Sequence, residues 1–235
     1  MSSRAGIYNS EQIQSGDLTK GMIVQLVKLW QEANGLTVDG FCGPNTQSSI
    51  SSLVHADNGS VSSFSRLTRD ALVVASECLG KGETGGNNSG PFVEMLHGLD
   101  YDGNTDDDGA WCAAFVGYCF LTAALNDDTP LTFTRSGGAK RLFKNISNAG
   151  ECVLVSDLDG DARTTAIRDF GVLPGDVICF HRGKPGSWMG HIGIVERLDG
   201  GVVHTIEGNV GTYPSKVRRF RRGLDNPNLI GFARV

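Results

Sequence analysis

The sequence predicts an α+β protein, with helices in the first part of the chain and an antiparallel sheet in the last part. Up to about residue 125, apolar residues recur at helical spacing. After the LPGD motif the pattern changes to short apolar runs separated by turn residues, which is typical of strands. A polar stretch rich in Ser and Gly lies between two helical regions and has the composition of a linker. We therefore expect a helical domain at 1–55, a linker at 56–64 and an α+β domain at 65–235.

The first domain is predicted to hold two helices. Residues 19–34 form an amphipathic pattern that Thr19 could cap and that Gly35 is well placed to end. Its apolar face consists of Ile23, Leu26, Val27 and Trp30. The turn-rich segment LTVDGFCGPNT follows, and Pro44 suits the first turn of a second helix at about 44–54.

The second domain is predicted to begin with three helices, at about 67–79, 91–98 and 111–125. The next fifty residues show no regular pattern, and we predict irregular structure there. Five strands are then expected, carried by the segments DVICFH, HIGIVERL, VVHTIEG, SKVRRF and LIGFARV.

Composition excludes some classes of function. The formal net charge is −5, which argues against a nucleic-acid-binding protein. A dense basic cluster is interpreted as a solvated strand and turn, with a surface for an anionic polymer as the alternative; it consists of Lys216, Arg218, Arg219, Arg221 and Arg222. The chain contains neither an apolar run of membrane-spanning length nor a signal-peptide core, so we expect it to be made in a cytosol, to reach any external site of action by another route and not to insert into membranes. We also expect a monomer.

One of the six cysteines has the sequence context of a nucleophile. The cysteines are scattered without a CxxC pair, which argues against a zinc knuckle and against a disulfide scaffold. Cys112 stands where the polar loop DDDGAW gives way to an apolar helix. Free N–H groups and the dipole at a helix start lower the pKa of a thiol and can bind an oxyanion. The alternative interpretation is a buried core cysteine.

A thiol nucleophile needs a base from elsewhere in the chain. His191 is the first candidate because it follows a glycine-rich loop at the start of an apolar strand, and His204 is its rival. Glu207 and Asn209 lie two residues apart on the next strand and could orient the base. Symmetric pairing through the LDGG turn would place residue 191 opposite 208, subject to the turn geometry.

Four motifs in this order, GAWCAAFVGYCF, LPGDVICF, GHIGIVE and TIEGN, resemble the CHAP family of cysteine, histidine-dependent amidohydrolases and peptidases. The resemblance covers about residues 67–234 and extends upstream to GETGGNNSGPFVEML. It implies a papain-like fold, with a cysteine-bearing helix packed on an antiparallel sheet, and cleavage of amide bonds in peptidoglycan. It also implies roles for four residues: Cys112 as nucleophile, His191 as base, Glu207 as orienting group and Asn209 as supporting polar group. Trp111 stands where some members have glutamine, so backbone N–H groups would have to serve as oxyanion donors.

The segment LVKLWQEANGLTVDGFCGPNT resembles the helical peptidoglycan-binding domain found beside many wall hydrolases. The alternative is a helical bundle without a ligand. The acidic loop before Cys112 is a candidate calcium site, because potential oxygen ligands occur at every second position, as they do in calcium-binding loops. Its candidate ligands are Asp100, Asp102, Asn104, Asp106 and Asp108, and the alternative is a solvated acidic loop because Trp111 occupies the twelfth position.

The sequence as a whole predicts a peptidoglycan-cleaving cysteine amidase or endopeptidase, most in keeping with a phage endolysin or a virion-associated lysin. No cofactor is required, apart from possible calcium at the acidic loop. Two alternatives stay open: an exported bacterial toxin or autolysin with the same chemistry, and a non-catalytic wall-binding or tail structural protein.

Overall fold

The computed structural model describes residues 20–33, 35–43, 45–46, 66–98, 109–184 and 186–235. The chain divides into two compact units, residues 1–63 and 64–235, which are described separately. No helix within the described ranges is long and apolar enough to cross a membrane.

The first unit contains the helix α1, Lys20–Ala33, which confirms the first predicted helix. Gly35 follows it in the left-handed region, with φ of +64°, as expected for a helix end. Of the predicted apolar face, Leu26 is exposed, whereas Val27 and Trp30 are half-buried. Thr19, the linker and most of the second predicted helix lie outside the described residues, although residues 45 and 46 are helical.

A buried glutamine of α1 organises the VDG turn that follows the helix. The Gln31 side chain accepts hydrogen bonds from the backbone N–H groups of Asp39 and Gly40, at 3.1 and 2.8 Å. It donates to Asp39 Oδ1 at 2.7 Å and to Thr46 Oγ1 at 3.0 Å. These bonds tie the loop to the helix and leave Phe41 70% exposed at its tip.

The second unit begins with α2 at Arg66–Glu77, α3 at Pro91–His97 and α4 at Cys112–Asn126. These three helices confirm the prediction. Ten of the fifteen residues of α4 are buried, because the helix is apolar all round, so it forms the centre of the core.

The segment after α4 corrects the prediction of irregular structure. It contains α5 at Ala139–Ala149, β1 at Glu151–Leu154 and α6 at Gly160–Phe170. The apolar side chains of α5 that enter the core are Leu142, Phe143 and Ile146, at helical spacing. The α6 helix buries only Ile167, and β1 is mostly exposed, so both leave a weak trace in the sequence.

The five predicted strands are present and antiparallel. They are β2 at Val177–His181, β3 at Gly190–Asp199, β4 at Val202–Val210, β5 at Lys216–Gly223 and β6 at Leu229–Arg234. The strand order is β1-β6-β2-β3-β4-β5. Helices α2 to α5 share a core with one face of the sheet, and α6 packs with residues of the other face. The fold is thus the predicted α+β, papain-like class, in which the cysteine-bearing helix lies on an antiparallel sheet.

The register of the β3–β4 hairpin differs from the predicted one. The hairpin turns at Gly200–Gly201, both with positive φ, as a two-residue turn requires. The turn pairs Asp199 with Val202, which is two residues away from the predicted symmetric register, and a bulge between Val195 and Arg197 reduces this difference to one residue. Ile194 therefore pairs with Ile206, where the predicted register would have placed Thr205.

Candidate active site

Cys112 is the first residue of α4 and is 3% exposed. The residue before it, Trp111, occupies the cap position with φ of −110° and provides no side-chain cap. The first N–H groups of a helix have no intrahelical partner, so the uncapped start of α4 presents donors and positive potential beside the thiol.

Trp111 fixes this helix start through a buried carboxylate. Its indole N–H donates to Glu83 Oε1 at 3.2 Å, and both side chains are buried. Glu83 also accepts from the backbone N–H groups of Asn88, at 3.0 Å, and Ser215, at 2.6 Å. The six-membered ring of the indole lies against Gly208, where an added Cβ would come within 2.6 Å of Cζ3. The indole is therefore committed to packing and to Glu83, in line with the expectation that it supplies no oxyanion donor.

The structure brings His191 and Glu207 together. His191 Nε2 lies 2.7 Å from Glu207 Oε2, and the two side chains are 4% and 0% exposed. Their strands, β3 and β4, are neighbours in the sheet. Gly193 makes the contact possible, because a Cβ at that position would lie 2.6 Å from Glu207 Cγ.

The Glu207 carboxylate is saturated with donors. Oε1 accepts from Thr205 Oγ1 at 2.5 Å and from Arg222 Nε at 2.8 Å. Oε2 accepts from Arg222 Nη2 as well as from His191. Burial alone would raise the pKa of Glu207, but the hydrogen bonds and charges of Arg222 and His191 lower it to about 2. The group is therefore ionised at neutral pH.

An ionised Glu207 fixes the tautomer of His191. A carboxylate can only accept, so Nε2 carries the hydrogen and Nδ1 keeps its lone pair while the ring is neutral. Burial lowers the pKa of His191, but hydrogen bonds and charges of Cys112 and Glu207 outweigh it and raise the pKa. Burial raises the pKa of Cys112, yet the hydrogen bond and charge of His191, together with the charge of Arg182, bring it below its ordinary value. Both shifts favour a thiolate–imidazolium pair.

The other predicted candidates lie in different surroundings. His204 contacts Arg197 Nη2 at 3.2 Å, and side chains alternate along β4, so it faces away from the carboxylate of Glu207. Asn209 has φ of +57°, and its backbone carbonyl accepts from Arg182 at 3.5 Å. Its side chain has no hydrogen-bond partner among the described residues. Burial raises the pKa of both Cys119 and Cys179, as expected of core cysteines. The calcium candidates at 100–108 lie outside the described residues.

Sequence reasoning missed three residues of the site: Glu83, Arg182 and Arg222. Arg222 was interpreted as part of a solvated cluster, yet it is half-buried and forks onto Glu207. Its guanidinium also lies over the rings of Phe180 and Phe220, at 5.3 and 5.0 Å. The only sequence feature that could have indicated burial of Arg222 is Phe220, an aromatic residue two positions earlier on the same face of the strand. Glu83 was visible as the acid of the GETGG loop, whereas Arg182 had no signal beyond its place after β2.

A buried cysteine at a helix start, facing a histidine–carboxylate pair on an antiparallel sheet, defines the papain-like class of cysteine hydrolases. Residues 104–209 match the model of the CHAP domain family. Members are generally cysteine, histidine-dependent amidohydrolases, and the domain implies peptidoglycan hydrolase or amidase activity.

Comparison with individual proteins finds only low sequence identity. No curated protein matches the chain. Similar solved structures include the crystal structure of Ly7917, with 15% identity and a TM-score of 0.41, and Ly7917 "with the hydrolyzing product of MDP", with 15% identity and a TM-score of 0.39. Each match covers 70% of this chain, and the chain spans 60% and 61% of the two matched chains.

Proposed function

We propose that this protein hydrolyses an amide bond in the peptide stem or cross-link of peptidoglycan, with Cys112 as nucleophile and His191 as base. The observation that carries the proposal is the 2.7 Å contact between His191 Nε2 and Glu207, which leaves Nδ1 as the ring nitrogen that can accept the thiol proton. The CHAP domain supplies the substrate class.

The chemistry follows from the placement of these groups. Nδ1 takes the thiol proton, and the thiolate attacks the amide carbonyl carbon to form a C–S bond. The N–H groups at the start of α4 stabilise the oxyanion. The imidazolium then gives its proton to the departing amine, and water, activated by Nδ1, cleaves the thioester to release the acid and restore the thiol. Glu207 holds the ring in one tautomer and stabilises its charged form throughout.

The first unit is proposed to bind the cell wall. Its support is the resemblance to peptidoglycan-binding domains and the turn held by Gln31, which presents Phe41 at the surface. The chain with Cys112→Ala should co-sediment with insoluble peptidoglycan, and deletion of residues 1–55 should remove that binding. Equal sedimentation of both forms would place wall binding in the second unit.

For the biological role we propose a phage endolysin or a virion-associated lysin that is made in a host cytoplasm and acts at the bacterial wall. An exported toxin or autolysin would use the same site, so enzymatic assays alone do not separate these roles. The time and place of synthesis during a phage infection cycle would do so.

The test of the catalytic proposal is clearance of purified cell walls. Cys112→Ala should abolish clearance while leaving the circular dichroism spectrum unchanged. Cys152→Ala is the matched control, because that cysteine is exposed on β1 and distant from the proposed chemistry. Clearance by the Cys112 variant at the wild-type rate would show that another group is the nucleophile. Absence of clearance by the wild type, with intact wall binding, would favour the non-catalytic alternative. Mass spectrometry of the new termini would identify the bond.

A further inference from the structure

Arg182 lies in the site, where its charge helps to lower the pKa of Cys112, but it has no role in the proton transfers described above. It follows β2 directly, and its side chain is exposed. Its Nη2 atom lies 2.9 Å from His191 Nδ1, the nitrogen that must accept the thiol proton. The same Nη2 lies 3.5 Å from the carbonyl oxygen of Asn209.

This guanidinium and the catalytic proton compete for one lone pair. A guanidinium can only donate, so its contact with Nδ1 uses the lone pair of the neutral ring. Once Nδ1 carries the proton of Cys112, two donors face each other and the contact turns repulsive. Arg182 must therefore leave Nδ1 when the thiolate–imidazolium pair forms, and its exposed side chain can move without breaking the core.

Within the described part of the site, no other charge compensates that of Arg182. Glu207 and Arg222 offset each other as an ion pair. The Cys112–His191 pair is neutral overall, either as thiol and imidazole or as thiolate and imidazolium. Within the part of the chain that the structure describes, no carboxylate forms an ion pair with Arg182. Among the described residues, the site thus carries one unbalanced positive charge, that of Arg182.

Lys140 adds a further positive charge beside the loop that leads to His191. Lys140, on α5, donates through Nζ to the carbonyl of Ser187 in the loop that leads to His191. It lies close to the backbone of Gly190. A surface beside a nucleophile that carries uncompensated cations is suited to an anionic group of the substrate. Among anionic groups, a carboxylate matches the planar fork of a guanidinium in geometry.

We propose that Arg182 is a substrate-binding residue, which receives a carboxylate beside the scissile amide and in doing so leaves Nδ1 of His191 free for the proton of Cys112. The proposal deepens the proposed function and rests on it, because peptide stems of peptidoglycan carry free carboxylates. Binding of the correct substrate then completes the base, and peptides whose carboxylates are amidated become poorer substrates.

The test uses alkylation of Cys112, which requires no cleavage of peptidoglycan. Iodoacetate and iodoacetamide both form an Sγ–CH2 bond and release iodide, but only iodoacetate carries a carboxylate. The full chain is treated with each reagent, and the rate at Cys112 is read by peptide mass spectrometry, which separates it from the exposed Cys42 and Cys152. The variants are Arg182→Gln, Arg182→Lys and the distant control Arg168→Gln, whose side chain is 71% exposed on α6.

In the wild type the ratio of the iodoacetate rate to the iodoacetamide rate should exceed that of the Arg182→Gln variant by about tenfold, the lower range of a charge-assisted hydrogen bond. Arg182→Lys should retain part of the preference, and Arg168→Gln all of it. An equal loss of both rates in Arg182→Gln would overturn the proposal, because Arg182 would then serve only the Cys112–His191 pair. An unchanged ratio would overturn it as well.

A second measurement separates this proposal from the function on which it rests. Stem peptides with free carboxylates and their amidated counterparts are compared as substrates, and the wild type should show the lower KM for the free acids. A clear preference for iodoacetate without cleavage of any peptidoglycan would mean that the carboxylate site exists but the proposed substrate is wrong. Cleavage of peptidoglycan without a preference for free-acid peptides or for iodoacetate would mean that the proposed function is right but that Arg182 does not bind a carboxylate.

Discussion

Replacement of Arg222 by methionine tests whether Arg222, on β5, stabilises the site through its charge interaction with Glu207. Methionine retains much of the apolar stem that lies over Phe180 and Phe220, but it removes both hydrogen bonds to Glu207. The carboxylate then stays buried with His191 and Thr205 as its partners. Loss of one partner from a buried ion pair is costly, because the other charge is left without compensation.

The magnitude follows from the pKa of Glu207. It lies at about 2 in the folded protein against an ordinary 4.5. A difference of this size corresponds to about 3 kcal/mol of stability at neutral pH. Since the pKa is lowered on folding, this contribution is present above about pH 4.5 and is lost as the pH falls toward 2. If the variant returns the pKa to its ordinary value, the difference in unfolding free energy should be about 3 kcal/mol at pH 7. It should shrink by about 1.4 kcal/mol per pH unit below 4.5.

The measurement is urea unfolding at pH 7, 4 and 3, followed by tryptophan fluorescence, to which Trp111, fully buried in the second unit, contributes. Arg221→Met is the matched control. That residue is the neighbour on the same strand, is exposed and faces the other side of the sheet, so its loss should cost no more than about 0.5 kcal/mol. A destabilisation by Arg222→Met that is the same at pH 7 and pH 3 would refute the reasoning, because it would assign the role of Arg222 to packing alone.

Three further outcomes are expected. His191→Ala should lower the rate of wall clearance by about a thousandfold or more, while His204→Ala should retain most of it; the reverse order in the same assay would exchange their roles. Gly193→Ala should reduce clearance and lower the melting temperature, because its Cβ would lie 2.6 Å from Glu207 Cγ, whereas Gly117→Ala, which meets only ordinary contacts, should be tolerated in both assays. Calcium at a hundredfold excess over its dissociation constant should stabilise the chain by about 2.7 kcal/mol through residues 100–106, and an unchanged melting temperature after chelation would count against that site.

The sequence predicted those parts of the fold whose residues alternate or recur regularly. The helix bearing Cys112 and the five strands from Val177 onward have strong apolar patterns, and the structure confirms them. It did not predict β1 and α6, because a mostly exposed edge strand and a helix with one buried residue carry almost no periodicity. The α5 helix was a different case. Its apolar spacing was present, but it starts after a Ser-Gly-Gly run with no capping side chain, which obscured the start.

The sequence predicted that His191 and Glu207 lie close together, but it did not predict the register of the hairpin that carries them. A hairpin register depends on the turn and on bulges, and the bulge near Val195 is invisible in the residue pattern. The role of Arg222 was out of reach for the same reason. Strand pairing places Arg218 opposite Glu207, yet Arg218 is exposed, and the clamp is provided by a residue four positions further along. Which of these two arginines reaches Glu207 depends on the side-chain conformations, which the residue pattern does not give.

The position of β6 within the sheet has a consequence for biosynthesis. This strand, Leu229–Arg234, lies between β1 and β2 and hydrogen-bonds to both. A ribosome delivers β1 to β5 first, so a nascent chain that has not reached Leu229 has a gap in the middle of its sheet. Contacts between residues so far apart in the chain form slowly and late. We therefore expect the sheet on which Cys112 and its helix pack to stay unfinished until β6 has emerged from the ribosome, and the proposed activity to appear only after that strand is in place.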